Sequence, residues 1–431
     1  MQVLKSIKNV SVALLMVMLC GCESWLDLKP IDRVLEDQLY ETEEGFKQSL
    51  TGVYVELNQK TLYGGDLMFR MVEILAQRYN LSSIGTYKEW IAYNYSDDDV
   101  KASIDALWQK MYSLIMNCNK LMENADLRKD VFTGDNYNLI YGEALALRAM
   151  LHFDLLRLFG PVYKTNPEGL SICYNKKFSY QGSNILPASE VIDNILDDLK
   201  KAEELLVNDP VITEGPRNTT ASDGNNDLRL RTYRLNYYAV QALMARVALY
   251  CGEKDVAWEY ADKMIRGIRE EHEWFPFATR EEIVTTNRED RIFQSEILFG
   301  LYNLKRKESV YEVGFGSGLK QGSVLRIDKD IMRDTYEGDD NDYRLSYWFA
   351  EMVDPDNNSY LHVIKYKEVD DVDPVTKISK GYSYIMPILR VSEVYLIAAE
   401  CCPDPKEGRN YLNAVRTARN VKNIQDDADL T

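Results

Sequence analysis

The chain is poor in the residues that build metal sites and disulfide frameworks. It has only three histidines and seven cysteines in 431 residues, and no pair of them has zinc-ligand spacing. Its 51 basic residues are outnumbered by 68 acidic ones, giving a net charge of −17, so no basic patch is available to meet nucleic-acid phosphates. The sequence therefore predicts no structural metal, no cofactor and no nucleic-acid partner.

Long apolar runs are also scarce, and the one near the N-terminus is too short to span a membrane. Two lysines precede the run from Val10 to Leu19, which is typical of a secretory signal peptide. The segment Leu19-Cys20-Gly21-Cys22 that follows resembles the bacterial lipobox. We therefore predict a lipoprotein signal peptide over 1–21, a lipid anchor at Cys22 and a tether over 22–42. The alternative is an ordinary secreted protein with an accidental cysteine.

The strongest pattern lies in residues 139–163, where apolar residues recur at steps of three and four on two stripes. A helix that is apolar on two sides must be covered on two sides. Gly160 and Pro161 predict its end, with Gly160 in the left-handed conformation. Arg148 and His152 lie within this helix, and we interpret them as buried pairing or packing groups.

The same spacing predicts further helices, which recur in pairs and carry small residues where helix backbones approach. The predicted helices open at Thr42 or Glu43 and at Pro187, and cover 66–79, 101–124, 234–251, 254–267, 388–400 and 405–420. The predicted strands are 292–302 and 360–366. We expect a mostly α fold of tetratricopeptide-like helix pairs, over 43–267 and 388–420, supporting a loop-rich lobe over 270–385 with a few short strands.

Tyrosine is unusually frequent, with 29 copies, and tyrosines cluster in two stretches outside the helical stripes. Flat aromatic faces beside amides suit sugar rings and their hydroxyls. In residues 80–99 this pattern predicts ligand contacts by four residues: Trp90, Tyr93, Asn94 and Tyr95. A short buried strand would explain the same alternation.

In residues 302–322 the candidate ligand contacts are Tyr302 and Tyr311, and the alternative is a mobile surface loop. The glycine run over 314–318 is not a phosphate loop, because no Lys-Ser/Thr follows it. The acidic residues over 339–342 either chelate Ca²⁺ or form a solvated turn, as do Asp223, Asn225 and Asp227. The missing EF-hand spacing favours the turn.

Several segments together resemble the SusD/RagB family of outer-membrane nutrient-binding lipoproteins of Bacteroidota. They occur in the family's order and include CESWLDLKP, LWQKMYSLIMNCNKL, GEALALRAMLHFDLLRLFGPV, YEGDDNDYR and LRVSEVYLIAAE followed by YLNAVRTAR. The resemblance implies one SusD-like domain over 43–431. It also implies capture of a nutrient, usually a glycan and sometimes a peptide, and its delivery to a SusC-like TonB-dependent transporter without catalysis.

Family members usually continue well past the YLNAVRTAR helix, so the resemblance predicts that this chain is truncated at its C-terminus. Two other classes of function stay open from the residues alone. One is a glycoside hydrolase with a carboxylate pair, although no local motif requires such a pair. The other is a tetratricopeptide-type scaffold that binds only proteins, which predicts no aromatic ligand site.

Overall fold

A computed structural model describes most of the chain downstream of the predicted tether. The described residues are 36–81, 85–179, 181–216, 228–269, 272–316, 318–319, 321–353, 359–372 and 379–425. The predicted signal peptide, Cys22 and the acidic residues of the loop at 223–227 lie outside these ranges.

The described part of the chain is mostly helical, which confirms the predicted fold class. In chain order its helices are α1 (Glu36–Leu39), α2 (Glu43–Leu57), α3 (Met71–Leu75), α4 (Lys88–Ile91), α5 (Asp98–Leu127), α6 (Asn136–Phe159), α7 (Ala188–Leu205), α8 (Pro210–Glu214), α9 (Tyr237–Cys251), α10 (Lys254–Arg269), α11 (Arg280–Val284), α12 (Glu312–Gly314), α13 (Lys329–Thr335), α14 (Tyr343–Trp348), α15 (Val391–Cys401) and α16 (Pro405–Ala418). A single π-helical turn, Lys307–Tyr311, precedes α12.

Six short strands form three separate antiparallel pairs within the described residues. The strands are β1 (Leu170–Cys173), β2 (Ile185–Pro187), β3 (Ile297–Tyr302), β4 (Phe349–Val353), β5 (Ser359–Val363) and β6 (Ile385–Arg390). β1 pairs with β2, β3 with β6, and β4 with β5. Both predicted strands are present, but β3 starts only at Ile297, after a 3-10 turn over Gln294–Glu296, and β5 ends at Val363.

The helices pack in consecutive pairs, as the tetratricopeptide-like prediction requires. α6 lies against both α5 and α7, α9 pairs with α10, and α15 pairs with α16. One continuous hydrophobic core includes Phe46 of α2, Leu147 of α6 and Leu361 of β5. The helix pairs and the loop-rich lobe therefore share a core, so the lobe is held against a helical support.

Helix α6 is buried on nearly every side, which confirms that it needs cover on two faces. It ends before Gly160 as predicted, but Gly160 has φ −83° and ψ 173° and is extended rather than left-handed. The following Pro161 disfavours helical geometry in the residue before it and favours this extended form. The proline, and not a left-handed glycine, ends the helix.

Two predicted boundaries are wrong for local reasons. The helix expected over 66–79 shrinks to α3, because residues 66–70 belong to a turn and Gln77 adopts a left-handed φ of 54° just after the helix. Pro187 belongs to β2 and immediately precedes the first residue of α7 instead of being that residue. At Thr42 the prediction is confirmed, since its hydroxyl caps α2 by accepting a hydrogen bond from the Gly45 amide at 3.2 Å.

Candidate functional site

A groove of about 680 Å³ opens between the end of α2 and the end of β3. We call it the Tyr302 groove. Its wall combines aromatic, apolar and amide side chains, including Tyr54, Asn58, Gln59, Tyr233, Tyr302 and Asn303. Val55 and Leu304 stand in the same wall with 60% and 70% of their surface exposed, so the groove is largely apolar at its rim.

Tyr302 is the most accessible aromatic side chain of this groove. It is the last residue of β3, pairs with Ile385 of β6, and keeps 41% of its surface exposed. Its ring lies 5.3 Å from the ring of Tyr233 and 5.5 Å from that of Tyr384. Three tyrosines therefore form one aromatic surface, positioned by a strand pair and a turn.

The opposite wall comes from the C-terminal end of α2. The Asn58 side chain donates to the backbone carbonyl of Tyr302 at 3.1 Å, which ties α2 to β3 across the groove. Gln59 donates to the Glu56 carboxylate at 2.6 Å, and Glu56 is also ion-paired with Lys110 of α5. Amide and charged groups thus line the groove beside the aromatic surface.

Buried ion pairs anchor the turn that carries Tyr233. The Arg231 guanidinium, 1% exposed, lies 2.7 Å from both the Asp209 and the Glu143 carboxylates. Glu143 also accepts a hydrogen bond of 2.8 Å from the hydroxyl of Tyr54. Burial and the nearby Glu143 charge raise the pKa of Tyr54 well above its usual value, so the hydroxyl stays protonated and donating. The turn that carries Tyr233 is anchored to the helical core.

A second groove, of about 700 Å³, lies between the stretch after α3 and helix α13. Its lining includes Arg78, Tyr79, Asn80, Ile91, Asp328 and Tyr336. The backbone amides of Asn80 and Thr86 donate to the carbonyls of Arg326 and Gly322, at 2.8 and 3.1 Å. The predicted aromatic stretch over 80–99 therefore contacts the end of the second stretch, over 302–322, and the residues between it and α13. We call this second groove the Ile91 groove.

The predicted residues of the first stretch have different surroundings. Trp90 lies on α4, half-buried against the core, so the alternative of a buried strand is wrong. Tyr93 has a left-handed φ of 52°, remains 44% exposed, and donates its hydroxyl to the Leu75 carbonyl at 2.9 Å. Asn94 donates to Glu89 at 2.7 Å and accepts from the Ser96 amide at 3.3 Å. Tyr95 is 52% exposed.

Tyr311 lies apart from the lining of both grooves. Its hydroxyl is 2.8 Å from Nε2 of His362 on β5, and its ring is half-buried. Burial raises the pKa of Tyr311 and lowers that of His362. Val310 and Phe315 nearby are fully buried, so this part of the stretch packs into the core, whereas Tyr302 and Leu304 at its start are exposed.

The acidic stretch over 339–342 forms a hydrogen-bonded turn. Asp339 accepts from the backbone and side-chain nitrogens of Asn341, both at 2.9 Å. Asp342 is 1% exposed, caps α14 and pairs with Arg344 at 2.7 Å. Across the residues that the structure describes, no group of three histidine, cysteine or acidic side chains is arranged to hold a metal ion.

Sequence reasoning missed most partners of Tyr302. Asn58 is 244 residues away along the chain, and no sequence pattern links it to Tyr302. Tyr233 follows a polar loop and Tyr384 precedes β6, positions that carry no periodic signal. Only the paired strands and the anchored turn bring these groups together.

Two family models match the chain, one after the other. The first, described as "Starch-binding associating with outer membrane", matches residues 24–221. The second, described as the SusD family, matches residues 217–430. Together they span the predicted tether, both grooves and the last helices.

Among curated relatives, the SusD-like protein P38 of Formosa agariphila is 27% identical over 214 residues, which are 47% of this chain and 39% of that protein. The SusD-like protein P2 of the same organism is 22% identical over 216 residues, 50% of this chain and 41% of that protein. The chain thus spans about two fifths of the length of these relatives.

Solved structures match over a larger share. A protein described as sugar-binding from Bacteroides vulgatus has a TM-score of 0.66 and 25% identity, covering 90% of this chain and 80% of its own. A SusD superfamily protein from Bacteroides thetaiotaomicron has a TM-score of 0.68 and 21% identity, covering 88% and 81%.

In the described part of the chain, no helix combines the length and apolar character needed to cross a membrane. The matching family is described as starch-binding and associated with the outer membrane. The order of helix pairs, the loop-rich lobe and the comparisons agree with one another. The chain belongs to the SusD/RagB family, a family of carbohydrate-binding proteins associated with the outer membrane.

Proposed function

We propose that this protein captures a glycan at the cell surface, with the Tyr302 groove as its principal contact. The observation that carries the proposal is the exposed ring of Tyr302, flanked by Tyr233 and Tyr384 and facing a wall with amide side chains. A flat aromatic face packs on the apolar C–H face of a sugar, and the exposed amide of Gln59 would pair with a hydroxyl, while Asn58 holds the backbone of Tyr302 in place.

The proposal includes the Ile91 groove as a second contact region. Tyr93 and Tyr95 are exposed tyrosines next to the lining residue Ile91 in the sequence, and Trp90 packs against the core. Asn94 is held by Glu89 and Ser96, so it would position the turn between the two tyrosines rather than reach a ligand. Tyr311 would support β5 through His362.

The proposed binding is not followed by catalysis. Glycoside hydrolysis uses two carboxyl groups on opposite sides of the scissile bond. Glu56 is the one carboxylate among the described lining residues of the Tyr302 groove, and it is ion-paired with Lys110. A scaffold that binds only proteins would not need an aromatic groove, so the groove argues against that alternative. A peptide ligand is the second candidate, because side-chain amides also pair with peptide groups.

The remaining parts of the proposal concern anchoring and delivery. Cys22 would carry the lipid, residues 22–42 would act as a tether to the outer membrane, and a SusC-like TonB-dependent transporter would receive the glycan. Cys22→Ser should move the protein from the membrane fraction to the soluble one. Affinity purification of the anchored protein should recover a large β-barrel partner, and repeated recovery without one would count against delivery.

Affinity electrophoresis across a panel of neutral and acidic polysaccharides tests glycan capture. Calorimetry with peptides tests the alternative class of ligand. We expect at least one polysaccharide to retard the wild-type protein without any increase in reducing ends. Retardation should be reduced for Tyr302→Ala. Binding of peptides but of no polysaccharide would replace the glycan proposal with the peptide one.

A further inference from the structure

The strand pair formed by β1 and β2 presents an apolar face to solvent. Leu170 lies opposite Pro187 and Cys173 lies opposite Ile185, and residues opposite each other in a strand pair share one face. On this outer face Leu170 is 72% exposed and Ile185 is 57% exposed, whereas Ile172 of the same pair is 1% exposed and belongs to the core. Neighbouring aliphatic side chains left open to water indicate a surface that another molecule covers.

A third exposed aliphatic side chain extends this face beyond β1. Val162, shortly after the end of α6, is 71% exposed, and the chain turns back there because the Val162 carbonyl accepts from the Asn166 amide at 3.0 Å. A Cβ on Gly169 would lie 3.1 Å from Cγ of Pro161, so the residues that precede Val162 and Leu170 lie side by side. Val162 and Leu170 are therefore close to each other in space.

Three lysines flank the aliphatic side chains. Lys164 follows Val162 in the turn, and Lys176 and Lys177 follow β1. All three are exposed, and no carboxylate of the described residues lies within 4 Å of their ammonium groups. Residues 161–187 contain these three lysines against one acidic residue, in a chain whose net charge is −17. We call the six residues the strand-pair patch: Val162, Lys164, Leu170, Lys176, Lys177 and Ile185.

The two lysines after β1 are fixed through their backbone. Arg148 of α6 donates to the Lys176 carbonyl at 3.2 Å, and Asn119 of α5 donates to the Lys177 carbonyl at 3.1 Å. The carbonyls are held by the helices while the side chains stay exposed, so the positive charges are presented at the surface. Because this backbone is already ordered, a surface that binds the lysines has to order side chains only, which lowers the entropy cost of binding.

We propose that the strand-pair patch rests on an anionic membrane surface, with its aliphatic side chains in the headgroup region and its lysines beside lipid phosphates. Exposed aliphatic side chains together with lysines are typical of surfaces that lie in a membrane interface. Protein–protein interfaces have the opposite composition, since they are enriched in tyrosine, tryptophan and arginine and depleted of lysine. The family's association with the outer membrane brings such a surface close to the chain.

The negative charge of the whole chain is compatible with this contact. The Debye length is about 10 Å at 0.1 M salt, so acidic residues elsewhere on a protein of this size are screened from the membrane. The contact is also independent of the proposed glycan binding, because no residue of the strand-pair patch lines the Tyr302 groove or the Ile91 groove. Beside a lipid anchor, it would fix the orientation of the helical support on the membrane.

The test uses the chain from residue 22 onward with Cys22→Ser, which keeps every described residue and carries no lipid. Flotation measures its binding to vesicles of phosphatidylcholine alone and of phosphatidylcholine with about one third phosphatidylglycerol. We expect binding to the anionic vesicles only, at millimolar lipid. High salt should abolish this binding, because it screens the attraction between the lysines and the lipid phosphates.

An aliphatic variant tests the apolar contact. Leu170→Ser should weaken binding to the anionic vesicles about tenfold, because the buried leucine side chain no longer contributes. The matched control is Leu127→Ser, which replaces a leucine that is 79% exposed at the end of α5 and should leave vesicle binding unchanged. Both replaced side chains are exposed, so both variants should keep the thermal midpoint of the parent chain.

A charge variant tests the lysines. Replacing Lys176 and Lys177 together by glutamine should weaken binding to the anionic vesicles about tenfold or more. The matched control replaces Lys88 and Lys101, which are 57% and 65% exposed elsewhere on the chain, and it removes the same charge without changing vesicle binding.

Three results would overturn the proposal. They are equal binding to the neutral and anionic vesicles, binding to neither kind, and equal losses in the patch variants and their controls. Analytical ultracentrifugation without vesicles tests a second copy of the chain as the occupant. A dimer that Leu170→Ser dissociates would assign the strand-pair patch to that copy instead of a membrane.

Discussion

The guanidinium of Arg148 on α6 and the carboxylate of Asp198 on α7 form a bidentate pair, with both nitrogen–oxygen distances at 2.7 Å. Both side chains are 7% exposed. The same carboxylate accepts a hydrogen bond of 2.6 Å from Tyr174, and Arg148 also donates to Asn119 of α5 at 2.7 Å. One arginine thus joins three helices, so the polar residues of α6 hold the support on which the grooves are built.

Replacing this arginine should strongly destabilise the protein. Arg148→Met leaves Asp198 buried without its cation, and we expect a loss of about 3–5 kcal/mol in the free energy of unfolding. The matched control is Lys101→Met, whose pair with Asp105 is 2.7 Å long but mostly exposed, and it should change the free energy of unfolding far less, because solvent screens an exposed pair. Chemical denaturation measures both. Equal losses for the two variants would contradict the structural role of Arg148.

His152 predicts a loss of stability in acid. Its Nδ1 faces the Arg148 carbonyl at 2.9 Å and its Nε2 accepts from the Asn175 amide at 3.1 Å, so the neutral ring is satisfied on both sides. Burial lowers its pKa to about 3. The imidazole takes up a proton near pH 6.5 in the unfolded chain but only near pH 3 in the folded protein. The free energy of unfolding therefore falls as the pH drops from 6.5 towards 3, and the loss is about 2 kcal/mol at pH 5. His152→Phe should lack this contribution when unfolding is followed between pH 7 and pH 5.

Asp290 predicts the opposite dependence on pH. Burial raises its pKa to about 7, so the folded state keeps a proton that the unfolded chain releases near pH 4. The contribution of the protonated Asp290 to the free energy of unfolding is fully present below pH 4. It is lost as the pH rises to 7, at up to about 1.4 kcal/mol per pH unit. The stability of Asp290→Asn relative to the wild type should therefore increase from pH 4 to pH 7. A difference that is constant with pH would show that Asp290 is ionised in the folded protein.

Two helical glycines give a prediction about packing. A Cβ on Gly142 of α6 would lie 2.9 Å from Cγ of the fully buried Leu206, whereas a Cβ on Gly52 of α2 would meet no atom within 4 Å. Alanine is favoured over glycine within helices by about 1 kcal/mol. Gly52→Ala should raise the unfolding free energy by up to that amount, and Gly142→Ala should gain less or lose stability. Equal gains would show that Leu206 moves aside freely.

Much of the helical support could be predicted from the sequence, because apolar spacing directly reflects burial. The two stripes of α6 and the hairpin around Gly252, which is left-handed with φ 83°, are examples. The burial of Arg148 and His152 also followed, since both lie on a helix covered on all sides. The predicted end of the helix over 66–79 is wrong because Gln77 adopts a left-handed φ, whereas at Gly160 the predicted end is correct and only the conformation of the glycine differs.

The candidate site could be predicted only in part. The aromatic-rich stretch over 302–322 points to Tyr302, but its neighbours Asn58, Tyr233 and Tyr384 come from distant parts of the chain. The pairing of β3 with β6 and the ion pairs of Arg231 bring them together. Such contacts depend on tertiary packing, which leaves no periodic trace in the sequence.

Isothermal calorimetry with the polysaccharide that binds the wild type most tightly is the most direct test of the account. Tyr302→Ala should weaken binding about fivefold or more, because one aromatic platform contributes on the order of 1 kcal/mol or more. Tyr302→Phe should keep most of the affinity, and Tyr95→Ala, which removes a tyrosine of similar exposure, should have a smaller effect. Unchanged affinity in Tyr302→Ala, together with loss of binding in Tyr95→Ala, would contradict the assignment of the principal contact to the Tyr302 groove.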